Sequence, residues 1–316
     1  MRPPVEIPDA APVPEAGRWH AVPGAPSPAR RRPLHPAVNL VCLLLTVVTT
    51  LLAGTLMTLD DLSWATLVDI VRRPAWWSLG APYSLSLLLI LGAHEMGHYV
   101  ACRYYGIEAS WPFFIPAPHL FGTFGAVIKI RAPFTDRRAM FDIGVAGPIA
   151  GFVVAVPVLL YGLSRSIVVR EAPLPGTVGL TSCLLLEILY PLYFALEPGV
   201  SVRLDPVFAA AWLGLFATSL NLLPIGQLDG GHMLYAISSR LHRIVSRAGV
   251  AGLVVAGVAF GGWHLVTFAV LFLFIGVGHP RPIDETTPLG RGRLTVAALG
   301  LLIFLLCFIP ATPVVF

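Results

Sequence analysis

Long apolar runs constrain the fold of this chain more than any other feature. A helix needs roughly 20 apolar residues to cross about 30 Å of hydrocarbon, and several runs approach or exceed that length. Hydrophobic residues make up 56% of the chain and charged residues only 12%. We therefore predict an all-α polytopic membrane protein. Its six or seven transmembrane helices are expected at 37–58, 78–105, 139–162, 206–226, 247–260, 263–278 and 294–310.

The N-terminal segment has a different composition. Residues 1–35 are rich in proline and contain no long apolar run, so we expect a disordered cytosolic tail. Residues 36–316 then form one membrane-embedded domain. The four cysteines are scattered without paired spacing, which argues against a disulfide framework or a zinc knuckle. The basic residues lie between apolar blocks, so the lipid bilayer is an expected partner and nucleic acid is not.

Two apolar segments do not fit a simple span. Residues 179–196 contain Glu187 and Pro191, and we expect this segment to lie at the membrane surface. Residues 107–133 are interrupted by three prolines and turn to period-two alternation from Thr123 onward, which predicts a small membrane-associated β-hairpin between the second and third spans. Such backbone at membrane depth needs internal pairing or a water-filled cavity.

The second span carries ionisable residues at its centre. His94, Glu95 and His98 form the pattern H-E-x-x-H in "AHEMGH", and positions i and i+4 of a helix share one face. Two imidazoles placed in this way can bind one zinc ion, while the glutamate takes a proton from the bound water. A polar seam is the alternative, but ionisable groups inside a span are costly and usually face a cavity, a partner or a metal.

A third ligand has to come from another segment. Asp229 in "NLLPIGQLDGGH" is the best candidate, because Pro224 and an Asp-Gly-Gly turn end an apolar helix there. An ordinary Asp-Gly turn at the membrane surface explains the same residues equally well. Weaker candidates are Cys102, His119, His264, Glu187 and Asp142.

Four motifs together resemble a known family, the site-2 proteases, which are zinc metalloproteases that cut substrates within the membrane. The resemblance covers roughly residues 78–316. It rests on "AHEMGHYVA", "GTFGAVIKI", "FDIGVAGPIAGF" and "NLLPIGQLDGGH", which occur in the family's order. The chain is similar to the branch without PDZ or nucleotide-sensing domains. It departs from that branch in having Asp205-Pro206 where His-Pro often precedes the aspartate-bearing span.

The resemblance implies roles for individual residues. It assigns binding of one zinc ion to His94, His98 and Asp229, and the general base to Glu95. It further implies a Gly-x-x-Gly hairpin that helps to hold substrate. The residues implied in substrate binding are Gly122, Thr123, Phe124, Gly125 and Asn221. For Asn221 the resemblance implies either contact with the substrate backbone or a role in steadying the metal site.

The chemistry also constrains the topology. The second span and the helix before Asp229 have to end on the same side of the membrane, which requires that 179–196 does not cross. Counting from an internal N-terminus, 16 of the 21 Lys and Arg residues fall on the inside, in agreement with the positive-inside rule. We expect a bacterial cytoplasmic membrane, with the N-terminus and the active site toward the cytosol.

The sequence therefore predicts a zinc-dependent intramembrane endopeptidase. The resemblance implies a transmembrane protein substrate, cut in or near its membrane segment in regulated intramembrane proteolysis. The alternative is a membrane metal transporter or a metal-sensing scaffold that uses the same ligands. The substrate and the oligomeric state are left open.

Overall fold

A computed structural model describes residues 36–59, 63–169, 178–179, 182–194, 201–259, 262–308 and 314–315. The tail expected to be disordered, residues 1–35, lies outside the described residues. In chain order the elements are α1 (Pro36–Leu59), α2 (Trp64–Arg72), a 3-10 segment (Pro74–Gly80), α3 (Ala81–Tyr104), β1 (Phe113–Pro116), β2 (Thr123–Val127), α4 (Arg137–Arg165), β3 (Ile167–Val169), β4 (Val178–Gly179), α5 (Leu184–Tyr193), β5 (Ser201–Arg203), α6 (Pro206–Asn221), α7 (Asp229–Ile237), α8 (Ser239–Ala259), α9 (Trp263–Ile275), α10 (Arg291–Cys307) and β6 (Val314–Val315).

Within the described residues, four helical segments are long and apolar enough to cross a membrane. They are Ala37–Leu59, Pro74–Tyr104, Arg137–Arg165 and Ser239–Ala259. The first three coincide with the predicted spans 37–58, 78–105 and 139–162. The fourth covers the predicted span 247–260 as far as Ala259 and begins earlier, because the helix also includes the basic stretch 239–247.

The other predicted spans correspond to shorter helices. α6, α9 and α10 contain 16, 13 and 17 residues. At a rise of about 1.5 Å per residue, each is shorter than a hydrocarbon core of about 30 Å. Helix length therefore does not confirm six or seven crossings. α5 has only 10 residues, so it too is far short of a span.

The predicted hairpin is present. β1 and β2 pair antiparallel, with Phe113 opposite Val127 and Phe114 opposite Ala126. β2 begins at Thr123, where the period-two pattern begins, but it ends at Val127. The alternation continues to Arg131 in the sequence, whereas beyond β2 only an isolated bridge joins Ala109 to Ile130. Elsewhere in the described residues, β3 pairs with β5 and β4 with β6.

Local chemistry sets the helix ends around the site. The carboxylate of Asp136 accepts hydrogen bonds from the backbone N–H groups of Arg138 (2.7 Å) and Ala139 (2.9 Å), which caps α4. Asp205 caps α6 in the same way, with Pro206 at the first helical position. The Asp205-Pro206 pair, a departure from the family pattern, is therefore a sound helix start. α6 ends at Asn221 because Pro224 and the residue before it disfavour further helix.

The core lies between α4, α6 and α7, around fully buried residues such as Phe141, Leu159 and Phe208. A second cluster around Tyr83 and Leu87 joins α3 to α1. Large apolar side chains also cover the outside, including Phe274 at 86% exposure. Exposed apolar surface of this extent is what contact with lipid requires.

Candidate metal centre

α3 places the two histidines of H-E-x-x-H on one buried face. His94 and His98 are 5% and 6% exposed. Their Nε2 atoms lie 3.1 Å apart, because one helical turn separates the two residues and both rings lean the same way. The i, i+4 spacing therefore places both imidazole rings on one face of the helix, as the sequence predicts.

Asp229 reaches the same point from another part of the chain. α6 ends at Asn221, and the following turn places Asp229 at the start of α7. One carboxylate oxygen, Oδ2, lies 3.2 Å from Nε2 of His94 and 3.2 Å from Nε2 of His98. Among the described residues these three form the one cluster of His, Cys, Asp or Glu side chains with metal-binding geometry.

The weaker ligand candidates lie elsewhere. Cys102, His119, Asp142 and Glu187 do not join the cluster, and the side chain of His264 lies outside the described part of the chain. Cys102 is fully buried in the core. Asp142 is not a helix cap, because it pairs with the guanidinium of Arg293 at 2.7 and 2.8 Å and accepts a hydrogen bond from Tyr105.

The three donor atoms fit a zinc ion. A tetrahedral zinc with bonds of about 2.0–2.1 Å holds its ligand atoms about 3.3–3.4 Å apart, and the separations in this site are 3.1–3.2 Å. The donor chemistry agrees. Nδ1 of His98 lies 2.7 Å from the carbonyl oxygen of Ile143, which can only accept, so in the neutral ring Nδ1 carries the proton. The lone pair of Nε2 then faces the centre of the cluster.

Glu95 lies beside this cluster, between the ligands and the hairpin. Its side chain is buried, at 6% exposure. The backbone N–H of Ile128, directly after β2, faces its carboxylate. The hairpin and the glutamate are therefore joined, and a carboxylate held in this way can exchange a proton with a molecule bound at the cluster.

Glycines of α4 allow that helix to touch the ligands. A Cβ on Gly147 would lie 2.1 Å from Nε2 of His98, and one on Gly151 would lie 3.1 Å from Nδ1 of His94. From the other side, a Cβ on Gly97 would lie 2.5 Å from the carbonyl oxygen of Ala146. Small residues spaced as in "GVAGPIAG" are typical of close helix packing. They do permit packing, but what packs against Gly147 is the imidazole ring of His98.

The hairpin residues implied in substrate binding have different environments. Gly122, with φ of +76°, is buried against α1, where a Cβ would lie 2.6 Å from the carbonyl oxygen of Thr49. The hydroxyl of Thr123 is used inside the hairpin, donating to the carbonyl of Ile115 at 2.8 Å. Phe124 is 72% exposed, and a Cβ on Gly125 would meet nothing within 4 Å. Only Phe124 and Gly125 therefore offer free surface.

Asn221 ends α6 within reach of the ligands. Its Nδ2 lies 3.1 Å from Nε2 of His94. This places Asn221 beside the cluster and away from the free surface of the hairpin. The position fits a hydrogen bond to the cluster better than a contact with a substrate lying on the hairpin.

Two further histidines, His232 and His279, lie near the site and have no role predicted from the sequence. Nδ1 of His232, one turn after Asp229, lies 2.5 Å from Nε2 of His279, whose own Nδ1 donates to the carbonyl of Pro280 at 2.6 Å. Burial lowers the pKa of His232 to about 3 and that of His279 to about 4, so both rings are neutral at neutral pH. The final His of "LDGGH" was the available signal for this pair.

Comparison with known proteins supports the same conclusion. The family model described as Peptidase family M50 matches residues 82–263. "Probable zinc metalloprotease EGY2, chloroplastic" of Arabidopsis thaliana is 30% identical over 246 residues, which are 74% of this chain and 42% of that protein. "Probable zinc metalloprotease EGY1, chloroplastic" of the same plant is 29% identical over 236 residues, 72% of this chain and 42% of that protein. The EGY2 protein of Oryza sativa subsp. indica is 29% identical over 235 residues, 70% of this chain and 41% of that protein.

Fold and site together place the chain in a family of membrane metallopeptidases. The chain belongs to peptidase family M50. This confirms the resemblance to the site-2 protease family. Family membership and the names of the relatives also support the predicted enzyme class and zinc as the cofactor. The chain spans about 42% of the length of the curated relatives it matches. Those relatives are chloroplastic by name, so they give no support to the expected bacterial cytoplasmic membrane, whereas the four candidate spans support an integral membrane protein.

Proposed function

We propose that this chain is an intramembrane zinc endopeptidase that hydrolyses a peptide bond in or near a transmembrane segment of a membrane-protein substrate, in regulated intramembrane proteolysis. One observation carries the proposal. The donor atoms of His94, His98 and Asp229 meet within 3.2 Å of one another beside the buried carboxylate of Glu95, and both histidines and the glutamate lie on a helix of span length.

Each of these residues has a chemical role in the proposal. His94, His98 and Asp229 would hold one zinc ion, which would supply polarisation of the scissile carbonyl and a lowered pKa of water. Glu95 would take a proton from the attacking water as its oxygen bonds to the carbonyl carbon, and would give that proton to the amide nitrogen as the C–N bond breaks. The N–H of Ile128 faces the carboxylate, and the low exposure of these side chains limits the access of bulk water to the reacting atoms.

A peptide in a helix hides its amides in internal hydrogen bonds, so the substrate has to be extended at the cleavage point. We propose that an unwound substrate segment lies along the hairpin and adds to it as a strand. The free space at Gly125 and the exposed ring of Phe124 support this placement. Gly122 and Thr123 shape the turn, and Asn221 steadies the ligands or contacts the substrate backbone.

The proposal includes a topology of six or seven crossings, with 179–196 at the surface. His98 lies toward the end of α3, and Asp229 follows the end of α6. Their contact at 3.2 Å supports parallel directions for α3 and α6, with α4 running back between them. The distribution of basic residues supports an active site on the inner, basic side of the membrane.

Replacing Glu95 by Gln tests the function. The purified Glu95→Gln protein should bind zinc as the wild type does, because Glu95 is not a ligand, and should lose cleavage of a transmembrane substrate by at least about 100-fold. Glu108→Gln is the matched control, since Glu108 is exposed. Retained turnover in Glu95→Gln would refute the protease proposal. Zinc uptake into vesicles that persists in this variant would instead favour a transporter.

Substrate placement needs a separate test, at Gly125. A leucine there projects into free space, so Gly125→Leu should weaken cleavage through a higher KM while zinc affinity stays unchanged. Gly125→Asn controls for the strain at φ of +101°, because Asn tolerates positive φ better than other residues. Wild-type KM in Gly125→Leu would refute strand addition at this point. Gly122 is unsuitable, because a side chain there would push α1 away.

A further inference from the structure

The turn that presents Asp229 is held by two polar residues of α8. His242 and Ser246 lie one helical turn apart and are both fully buried, at 0% exposure. Polar side chains buried this completely normally have a defined hydrogen-bonding partner. Both of them contact the backbone of Gly226, three residues before Asp229.

Each polar group of the Gly226 backbone has one partner on α8. Nε2 of His242 lies 2.8 Å from the carbonyl oxygen of Gly226, and because a carbonyl only accepts, the ring donates. The N–H of Gly226 donates to Oγ of Ser246 at 3.1 Å. The hydroxyl of Ser246 in turn donates to the carbonyl of Pro224 at 3.4 Å. We call these contacts the Gly226 clamp.

The position of Gly226 determines where α7 begins. Gly226 has φ of +56°, and a Cβ on it would lie 2.3 Å from the carbonyl oxygen of Gly276. Its own carbonyl oxygen lies against α7, where a Cβ on Gly231 would be 2.4 Å away. Asp229 is the first residue of that helix. A displacement of Gly226 would therefore be passed to the Asp229 carboxylate through close backbone contacts.

Packing alone does not account for His242. Its Nδ1 is buried and has no hydrogen-bonding partner among the described residues. A buried polar atom without a partner costs stability, so an apolar side chain would fill this position at lower cost. The benefit of the histidine lies in its other nitrogen, which donates to Gly226.

We propose that His242 and Ser246 are positioning residues, which fix the Asp229 carboxylate for zinc by clamping Gly226. The proposal rests on the proposed ligand set and does not require peptide hydrolysis. Metal sites tolerate donor displacements of only about 0.2 Å. Loosening the clamp should therefore be detected as weaker zinc binding.

The test is the zinc affinity of the purified full chain, measured by competition with a chelator. His242→Leu and Ser246→Ala should each lose about tenfold or more in affinity. His242→Gln keeps a donor near Nε2 and should retain most of the affinity. Ser84→Ala is the control, because it removes a buried hydrogen bond to Thr50 (2.7 Å) away from the Asp229 turn and should bind zinc normally.

Metal-free thermal unfolding of every variant separates positioning from folding. A loss of zinc affinity in Ser246→Ala with an unchanged metal-free Tm supports the proposal. Wild-type affinity in folded Ser246→Ala and His242→Leu overturns it, as does equal loss in His242→Gln and His242→Leu. If His242→Leu does not fold, the zinc affinity and metal-free Tm of Ser246→Ala alone test the proposal. Repeating the zinc-affinity measurement in a Glu95→Gln background makes the result independent of peptide cleavage. Failure of the protease proposal can then be distinguished from failure of the positioning proposal.

Discussion

Gly147→Ala is the sharpest perturbation that the site offers. A Cβ at this position would lie 2.1 Å from Nε2 of His98, and 2.5 Å from both neighbouring ring carbons. Ordinary contact needs about 3.5 Å, so the ring has to move by more than an ångström or α4 has to withdraw. The atom with which the added Cβ clashes, Nε2 of His98, is the one that would bind zinc.

The magnitude follows from ligand geometry. A displacement of this size far exceeds the roughly 0.2 Å within which metal–ligand distances are held, so His98 would contribute little to binding. We expect a loss of at least about 100-fold in zinc affinity, equal to about 2.8 kcal/mol. The helix itself does not suffer, because alanine in a helix interior is favoured over glycine by about 0.5–1 kcal/mol.

A graded series makes the assay specific. Chelator competition measures zinc affinity in three variants. The added methyl group lies 2.1 Å from Nε2 of His98 in Gly147→Ala and 3.1 Å from Nδ1 of His94 in Gly151→Ala, and it meets nothing within 4 Å in Gly252→Ala. Affinity should fall strongly in the first, mildly in the second and not at all in the third. Wild-type affinity in Gly147→Ala, with its metal-free Tm unchanged, would refute the assignment of His98 Nε2 as a ligand atom.

Three further predictions concern stability, measured by thermal unfolding in detergent. Arg293→Gln removes both contacts to Asp142 and should cost about 1–3 kcal/mol, whereas the neighbouring Arg291→Gln should not; equal Tm values would contradict this. Asp136→Ala removes the α4 cap and should cost about 1 kcal/mol, and an unchanged Tm would count against that cap. Burial lowers the pKa of His279 from 6.5 to about 4. Between pH 6.5 and pH 4 the unfolded chain therefore binds more protons than the folded chain does. The free energy of unfolding should fall by up to about 3 kcal/mol as pH drops over this range. His279→Gln should flatten that slope, and an equal slope in wild type and variant would exclude this residue as the cause.

Local sequence patterns predicted the elements that depend on local physics. The apolar runs located α1, α3 and α4, because span length and composition together leave few alternatives. The spacing of His94 and His98 placed both rings on one face, because helix geometry requires it. The period-two pattern located the start of β2 at Thr123, although the strand ended sooner than the pattern did.

Non-local contacts could not be predicted in this way. The partner of His98 Nδ1 is the carbonyl of Ile143, and a backbone acceptor leaves no trace in side-chain identity. Gly122 and Gly125 look equivalent in the sequence. Only the packing of α1 against the turn shows that Gly122 is structural and that Gly125 is open. The local residues around Asp229 fit a ligand and a plain turn equally well. The family resemblance implies the ligand, and only the fold places its Oδ2 3.2 Å from both histidine Nε2 atoms.

The glycines of α4 show why packing and metal binding cannot be separated in this site. A stripe of small residues normally indicates two helices in close contact, and α3 and α4 do meet in that way at Gly97. The ligand rings project from α3 into the same interface, so the space left by Gly147 and Gly151 is occupied by imidazole. A substitution that fills this space has to displace a ligand before it separates the helices. Metal affinity should therefore respond to changes along this stripe earlier and more strongly than thermal stability does.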